Sequence, residues 1–266
     1  MNSPNRLSAR DYVAALAASG RYQFTSKEAQ GALSVSAEAA KLALGRLAKQ
    51  GLIASPARGY HVIVPPEYRS LGCLPAEQFI PDLMQRLGLQ YYAGLLSAAQ
   101  FHGAAHHRPQ EFQVMLAKAR RPIVCGSVRV AFFVHKNIAA TPIQAFNTPR
   151  GTVLVSTPEA TAFDLVGYQS HVGGLDNVAT VLGELSEILD PDKLAVIAIA
   201  TPVPWAQRLG YLLDKVEAGG RALALQAFVK LHAKQVASLL PAAPAAGAVW
   251  NENWKLVINA EVEPEL

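Results

Sequence analysis

Apolar and polar positions change period several times along the chain, and the changes mark its elements. In AEAAKLALGRLAKQ, residues 37 to 50, apolar residues recur at spacings of three and four, the signature of a one-sided helix. At about 100° per residue, Ala40, Ala43, Leu44 and Leu47 fall in one narrow arc. Glu38, Lys41, Leu42, Gly45, Arg46 and Lys49 fall in the opposite arc. Ser36 can cap this helix and Gly51 can end it. Upstream, Ser8 can cap a helix running to about residue 18, stopped by Ser19-Gly20. Thr25 or Ser26 can cap a second helix, with Glu28 and Gln30 near its start and its end around Leu33. Ser34-Val35-Ser36 is then a three-residue break. Downstream, residues 53–55 and 60–64 read as short strands around Pro56-Ala57-Arg58-Gly59.

Helix, helix, turn, helix, hairpin is the order of a winged helix-turn-helix, expected over residues 1–64. Pro65-Pro66 ends the hairpin, so residues 65–79 are expected to be a linker and residues 80–266 a second domain. There the pattern predicts a short helix at 80–88 and a buried helix from 91 to about 103. Strands are expected at 112–117, 128–134 and 152–155, from their β-branched and aromatic content. Thr157-Pro158-Glu159 combines a cap, a proline at the first helical position and an acid near the positive end of the dipole. Helices follow near 158–168, 175–189, 192–199, 204–218 and 221–237, then the connector PAAPAAGA at 241–248 and a last strand at 254–259. The predicted fold is α+β: an N-terminal winged helix-turn-helix followed by a larger α+β domain.

Composition narrows the class. With 51% hydrophobic and 17% charged residues, the 266-residue chain is globular rather than disordered. Apolar runs such as LAVIAIA at 194–200 are far too short to span a bilayer. MNSPNRLSARDY has no apolar core of an export signal. Cys73 and Cys125 have no paired spacing, make no zinc motif and suit a reducing compartment, so a cytoplasmic protein with two ordinary thiols is expected.

Charge is uneven. Residues 1–64 hold eight basic and three acidic groups, a net of +5, whereas residues 65–266 hold 16 and 17, a net of −1. That asymmetry points to an anionic partner for the first segment. On the third helix an ordinary solvated face would mix signs, as i,i+4 pairs do. This face carries three bases, one acid and a leucine. Leu42 suits contact with thymine methyl groups in a major groove. Small alanines permit close approach, and Arg58 at the hairpin tip is placed for a phosphate or the minor groove. The competing reading is a winged helix used only for protein contacts.

Candidate chemistry elsewhere is thin. His102 and His106 have an i,i+4 spacing, with His107 adjacent, but no glutamate follows His102 as in HExxH, and no metal is expected. Glu159 is explained by the helix dipole, and Asp164 has no basic or nucleophilic partner in its motif. Gly173-Gly174 with Asp176 reads as a helix stop and restart, because no GK[ST] follows. No serine elbow, Cys–His pair or kinase set is present, so neither an enzyme nor a cofactor is expected. Between 112 and 136 there are five bases, Lys118, Arg120, Arg121, Arg129 and Lys136, and no acid. With Arg120-Arg121 placed at a turn between two strands, this strip is either a solvated hairpin tip or a second anion-binding surface, for RNA or further DNA.

FTSKEAQGALSVS, GLIASPARGYHVIVPPEY, YYAGLLSAAQFHGAAHHRPQEFQV, STPEATAFDLVGY and GGLDNVATVLGEL together resemble the AbiEi family, over about residues 7–259. These are antitoxins of type IV toxin–antitoxin systems linked to abortive phage infection. The resemblance implies a bacterial protein whose winged helix represses its own promoter at inverted repeats in duplex DNA. It also implies a second domain that counters a nucleotidyltransferase-like toxin without a stable complex. Carried over by position, the DNA role falls on Lys27, Ser34, Ser36, Lys41, Arg46, Lys49 and Arg58, to which the wheel adds Leu42. The family more often has glutamine where His107 stands, and it offers no catalytic residues to transfer. Two other classes remain. A stand-alone regulator with a ligand-sensing second domain would carry a pocket with convergent polar groups in residues 80–266. A nuclease would carry clustered acids, a lysine and a divalent metal, for which Asp82, Glu111 and Lys118 are a loose match.

Overall fold

A computed structural model describes residues 7–104 and 109–265. His106 and His107 lie outside the described residues. The chain divides into two compact units. The first comprises Met1–Tyr91, Gln110–Val134 and Ala145–Val153, and the second comprises Tyr92–Pro109, His135–Gln144 and Leu154–Leu266.

The first unit begins with α1 (Ala9–Ala18), β1 (Gln23–Thr25), α2 (Ser26–Leu33), α3 (Ala37–Lys49), β2 (Ile53–Ala57) and β3 (Tyr60–Ile63). Each helix starts where a side chain satisfies its free amides. Ser8 accepts from the Asp11 N–H at 3.1 Å and Ser36 from the Ala39 N–H at 3.2 Å. Thr25 and Glu28 form a reciprocal capping box. Helix α2 stops as Ser34 turns left-handed at φ +52°, so the break before α3 is tight. The sheet order β1-β3-β2, with both pairings antiparallel, is that expected of a winged helix. Strand β1 has only three residues, too short a run for its alternation to reveal it. The core beneath is Tyr12, Phe24, Leu33, Leu44, Leu47 and Ile53, with Tyr12 edge-on to Phe24 at 5.6 Å.

The chain does not divide at residues 65–79, where a linker was expected. Helix α4 (Ala76–Leu87) starts within that span, and the first unit continues through it. The winged part is tied to its backbone. Gln23 Nε2 donates to the Gln78 carbonyl at 2.7 Å, and the Tyr60 hydroxyl donates to the Phe79 carbonyl at 3.2 Å. Arg150 reinforces the same region. Its guanidinium donates to Gln78 Oε1 at 2.6 Å and Glu67 Oε1 at 3.1 Å, and it stacks 4.1 Å from the Tyr22 ring. Losing two charge-assisted hydrogen bonds and a cation–π contact should cost about 2–4 kcal/mol in Arg150→Ala. Denaturant melts of the full chain test this, and Arg150→Lys should recover only part, because an ammonium cannot reproduce the fork. A loss under about 0.5 kcal/mol, ordinary for a surface site, would contradict the strut.

Strand β4 (Tyr91–Ala93) replaces the first turn of the helix expected from residue 91. The chain turns at Gly94, and α5 (Leu95–Phe101) follows. The apolar run is buried either way, so periodicity could not separate the two readings. In the first unit, β5 (Phe112–Leu116), β6 (Ile123–Cys125) and β7 (Val128–Val134) follow. Strands β5 and β7 pair in parallel, Phe112 opposite Val130, while β6 and β7 form the antiparallel hairpin. Gly126 makes that hairpin turn against the chain at 71–72, where a Cβ would lie 2.1 Å from the Leu71 carbonyl.

Strands β8 (Ile143–Thr148) and β9 (Gly151–Ser156) come next, and in the second unit β9 pairs in parallel with β4 through Ala93 and Val155. Five helices follow: α6 (Pro158–Gly167), α7 (Gly174–Leu185), α8 (Pro191–Ala200), α9 (Val203–Lys215) and α10 (Leu223–His232). Buried Glu159 accepts the Asp190 N–H at 3.1 Å, so it fastens the start of α8 rather than only serving the dipole of α6. Strands β10 (Ala237–Ser238), β11 (Val249–Asn251) and β12 (Leu256–Ile258) form a small sheet of order β10-β12-β11. Trp254 packs on α9 where Gly210 leaves room, and its indole donates to Asp214 at 2.6 Å. The architecture is α+β. Among the described residues no helix is long and apolar enough to cross a membrane.

Candidate functional site

On α3 the burial follows the wheel. Ala40, Leu44 and Leu47 are buried, Leu42 is 69% exposed, and Lys41, Arg46 and Lys49 are exposed. Lys27 on α2 and Arg58 in the β2–β3 turn are exposed as well. None of these five bases forms an ion pair among the described residues. Other bases of the segment are engaged. Arg21 pairs with Glu28, and Arg10 donates to Gln50 Oε1 at 3.0 Å. The structure thus separates the structural cations from those free to meet an anion. Ser36 spends its oxygen on the cap of α3, which leaves its hydroxyl hydrogen to donate. Ser34 holds the left-handed turn between α2 and α3.

His61, which the sequence pattern did not single out, ties the wing down. Its Nε2 lies 2.8 Å from Ser26 Oγ and its Nδ1 lies 2.8 Å from Ser55 Oγ, while the ring stacks on Phe24 at 5.3 Å. Burial lowers its pKa, so it serves as a neutral bridge between α2 and the hairpin.

The basic strip is arranged differently from the expectation. Arg120 and Arg121 lie in the connection from β5 to β6, not at a turn between β5 and β7, because β5 and β7 are parallel. Arg120 stacks 5.6 Å above the Phe132 ring, half-buried, while Lys118, Arg121 and Arg129 are exposed. Arg129 stands opposite exposed Val124 in the β6–β7 hairpin.

Of the metal and nuclease candidates, His102 and Asp82 have structural partners, while His106 and His107 lie outside the described residues. His102 Nε2 donates to the Ser156 carbonyl at 2.8 Å, as a core histidine does. Asp82 is paired with Arg86 at 2.7 Å. Among the described residues no three His, Cys, Asp or Glu side chains come together to hold a metal ion. Cys73 and Cys125, distant in sequence, are buried and hydrogen-bonded to one another as free thiols, and that contact with burial raises the Cys73 pKa.

Asp164 is the residue the motif left without partners, and the fold supplies them. It is buried on α6, and its Oδ2 accepts from the Tyr92 hydroxyl at 2.9 Å. Its Oδ1 lies 3.6 Å from His135 Nε2. Tyr92 comes from β4 and His135 from the residue after β7, separations that no local motif reveals. Burial pushes the Asp164 carboxyl up to about 7 and lowers the His135 pKa. His135 Nδ1 is buried with no hydrogen-bond partner among the described residues. The group opens on a cavity of about 200 Å³ within the second unit.

Residues 92–215 match the family described as the AbiEi antitoxin C-terminal domain. This segment belongs to the AbiEi antitoxin family. The match associates this segment with antitoxins of toxin–antitoxin systems. The AbiEi segment contains Tyr92, His135 and Asp164, and it contains the basic strip; the exposed face of α3 precedes it. Across nearly the whole chain the fold is similar to the crystal structure of the RV2827C protein from Mycobacterium tuberculosis. That likeness has a TM-score of 0.67 at 20% identity and covers 96% of this chain and 92% of that one. At that identity the likeness is one of fold. No curated protein sequence matches the chain.

Proposed function

We propose that the protein is a cytoplasmic bacterial autorepressor and antitoxin of a type IV toxin–antitoxin system. In this reading α3 enters the major groove of its own promoter and Arg58 of the wing meets the backbone or the minor groove. The observation that carries it is the face of α3, where Lys41, Arg46 and Lys49 are exposed, with no ion pair among the described residues, around exposed Leu42. Lysines and arginines give the salt-dependent part of such binding, and Leu42 offers an apolar contact to thymine methyls. Gel shifts on the DNA upstream of the gene, at several salt concentrations, test the reading. Arg58→Ala should weaken binding and lower the salt slope by about 1 if it touches a phosphate. Absence of any preference for the upstream DNA over unrelated duplex would remove the autorepressor role.

The AbiEi domain in this reading counters a nucleotidyltransferase-like toxin without binding it stably and without catalysing a reaction itself. Protection then acts on the toxin's target or product, and a target such as tRNA is polyanionic. Lys118, Arg121 and Arg129 are the candidate surface, because they are exposed while Arg120 is stacked on Phe132. Co-expression with a neighbouring toxin should restore growth with no complex recovered on pull-down. Charge reversal at Arg121 and Arg129 should abolish protection and leave promoter binding unchanged. Full protection by that variant would remove the strip from the mechanism.

A further inference from the structure

We infer that the cavity beside Asp164 is a binding site for a small primary amine, with an ammonium head on Asp164 and His135 and an apolar body against Phe163, Val196 and Ile197. Four observations converge on that class. The first is size. A cavity of about 200 Å³, open on one side to solvent, is lined by residues of α6, α8 and the chain at 135–142. An apolar cavity of about 150 Å³ is enough for benzene, so this one holds a single ring or a branched chain with a short arm. The second is wall chemistry. Pro142, Ala160, Phe163, Val196, Ile197 and Ala200 give it mainly apolar sides.

The third is what remains at the polar end. Three polar residues of the lining are occupied by the backbone: Asn137 donates to the Ala200 carbonyl, Thr141 to the Asn137 carbonyl and Thr201 to the Ile197 carbonyl. What remains is the Asp164 carboxyl and the unpartnered His135 Nδ1. When His135 turns its Nε2–H toward Asp164, Nδ1 is an acceptor. Nδ1 and the lone pairs left on the Asp164 carboxylate beyond Tyr92 and His135 then ask for donors, and an ammonium carries three. The fourth is charge. No lysine or arginine forms an ion pair with Asp164 among the described residues. A buried carboxylate without a cation is costly, and a cationic ligand removes that cost.

The groups facing Asp164 fix the pH dependence. Tyr92 comes from β4, His135 follows β7 and Tyr168 follows α6, while α8 brings only Val196, Ile197 and Ala200 to the cavity. Burial raises the pKa of both tyrosines, so they stay neutral through pH 8. With its carboxyl at about 7, Asp164 is mostly ionised at pH 8 and mostly protonated at pH 6. Amine affinity should therefore be about tenfold stronger at pH 8 than at pH 6.

The test uses the full chain and four probes: benzylamine, 3-methylbutylamine, benzyl alcohol and benzoate. Calorimetry and thermal shift at pH 8 should show saturable binding of the amines below about 1 mM, with benzyl alcohol weaker and benzoate silent. Asp164→Asn should abolish amine binding while keeping the acceptor for Tyr92. A second variant guards against misfolding: Ala200→Trp, at an exposed position on the cavity, should block both amines without touching the carboxyl. The inference is overturned if neither amine binds the wild type, if benzyl alcohol binds as well as benzylamine, or if Ala200→Trp retains the amine response.

Discussion

In the Lys41→Ala/Lys49→Ala/Arg58→Ala variant, affinity for the upstream DNA is expected to fall by roughly 100-fold or more. Each lost charged contact costs about 1 kcal/mol or more, and the three sites share no partner through which the losses would couple. All three side chains are exposed and form no ion pair among the described residues, so the fold itself should keep its stability within about 0.5 kcal/mol per site. Salt titration separates the roles. If all three meet phosphates, the slope of log affinity against log salt should fall by about 3. A smaller change with the same loss of affinity would mean that one of the lysines reads a base edge. Arg21→Ala is the internal control for charge alone, because Arg21 is already held by Glu28. It should leave the slope nearly unchanged. Unaltered affinity in the triple variant would remove this face from DNA recognition.

What could be read in advance followed the range of the interactions involved. The helices of the winged part were legible because their signals are local. Ser8, Thr25 and Ser36 cap amides three residues away, and the apolar arc of α3 lies within one element. Strand β1 was not legible, since its three residues become a strand only by pairing with β3. The hairpin expected between β5 and β7 failed for a related reason. The register of β6, with Val124 opposite Arg129, takes the antiparallel edge of β7 and leaves β5 the parallel one. The linker failed because Gln23 and Tyr60 hydrogen-bond to the backbone of α4, contacts that span 55 and 19 residues. The candidate sites divide along the same line. The face of α3 is a property of one helix, whereas the surroundings of Asp164 bring Tyr92 from 72 residues away.

Leu47→Ala is expected to cost about 2–5 kcal/mol, against less than about 0.5 kcal/mol for Leu42→Ala, although the two leucines sit five residues apart on one helix. Leu47 is 5% exposed and packs in the core with Tyr12, Phe24 and Leu44, so truncation leaves a cavity its neighbours cannot fill. Leu42 is 69% exposed, so truncation removes little buried surface. The difference should appear as a shifted denaturant midpoint at unchanged m for Leu47→Ala alone. In DNA binding the order reverses. Once both proteins are folded, Leu42→Ala should lose discrimination at a thymine-containing step, with its salt slope intact because no charge has gone. Equal destabilisation by the two substitutions would mean that α3 is rotated from the register described. Loss of stability without loss of sequence preference in Leu42→Ala would return that leucine to a structural role and leave the lysines and Arg58 to carry the interface.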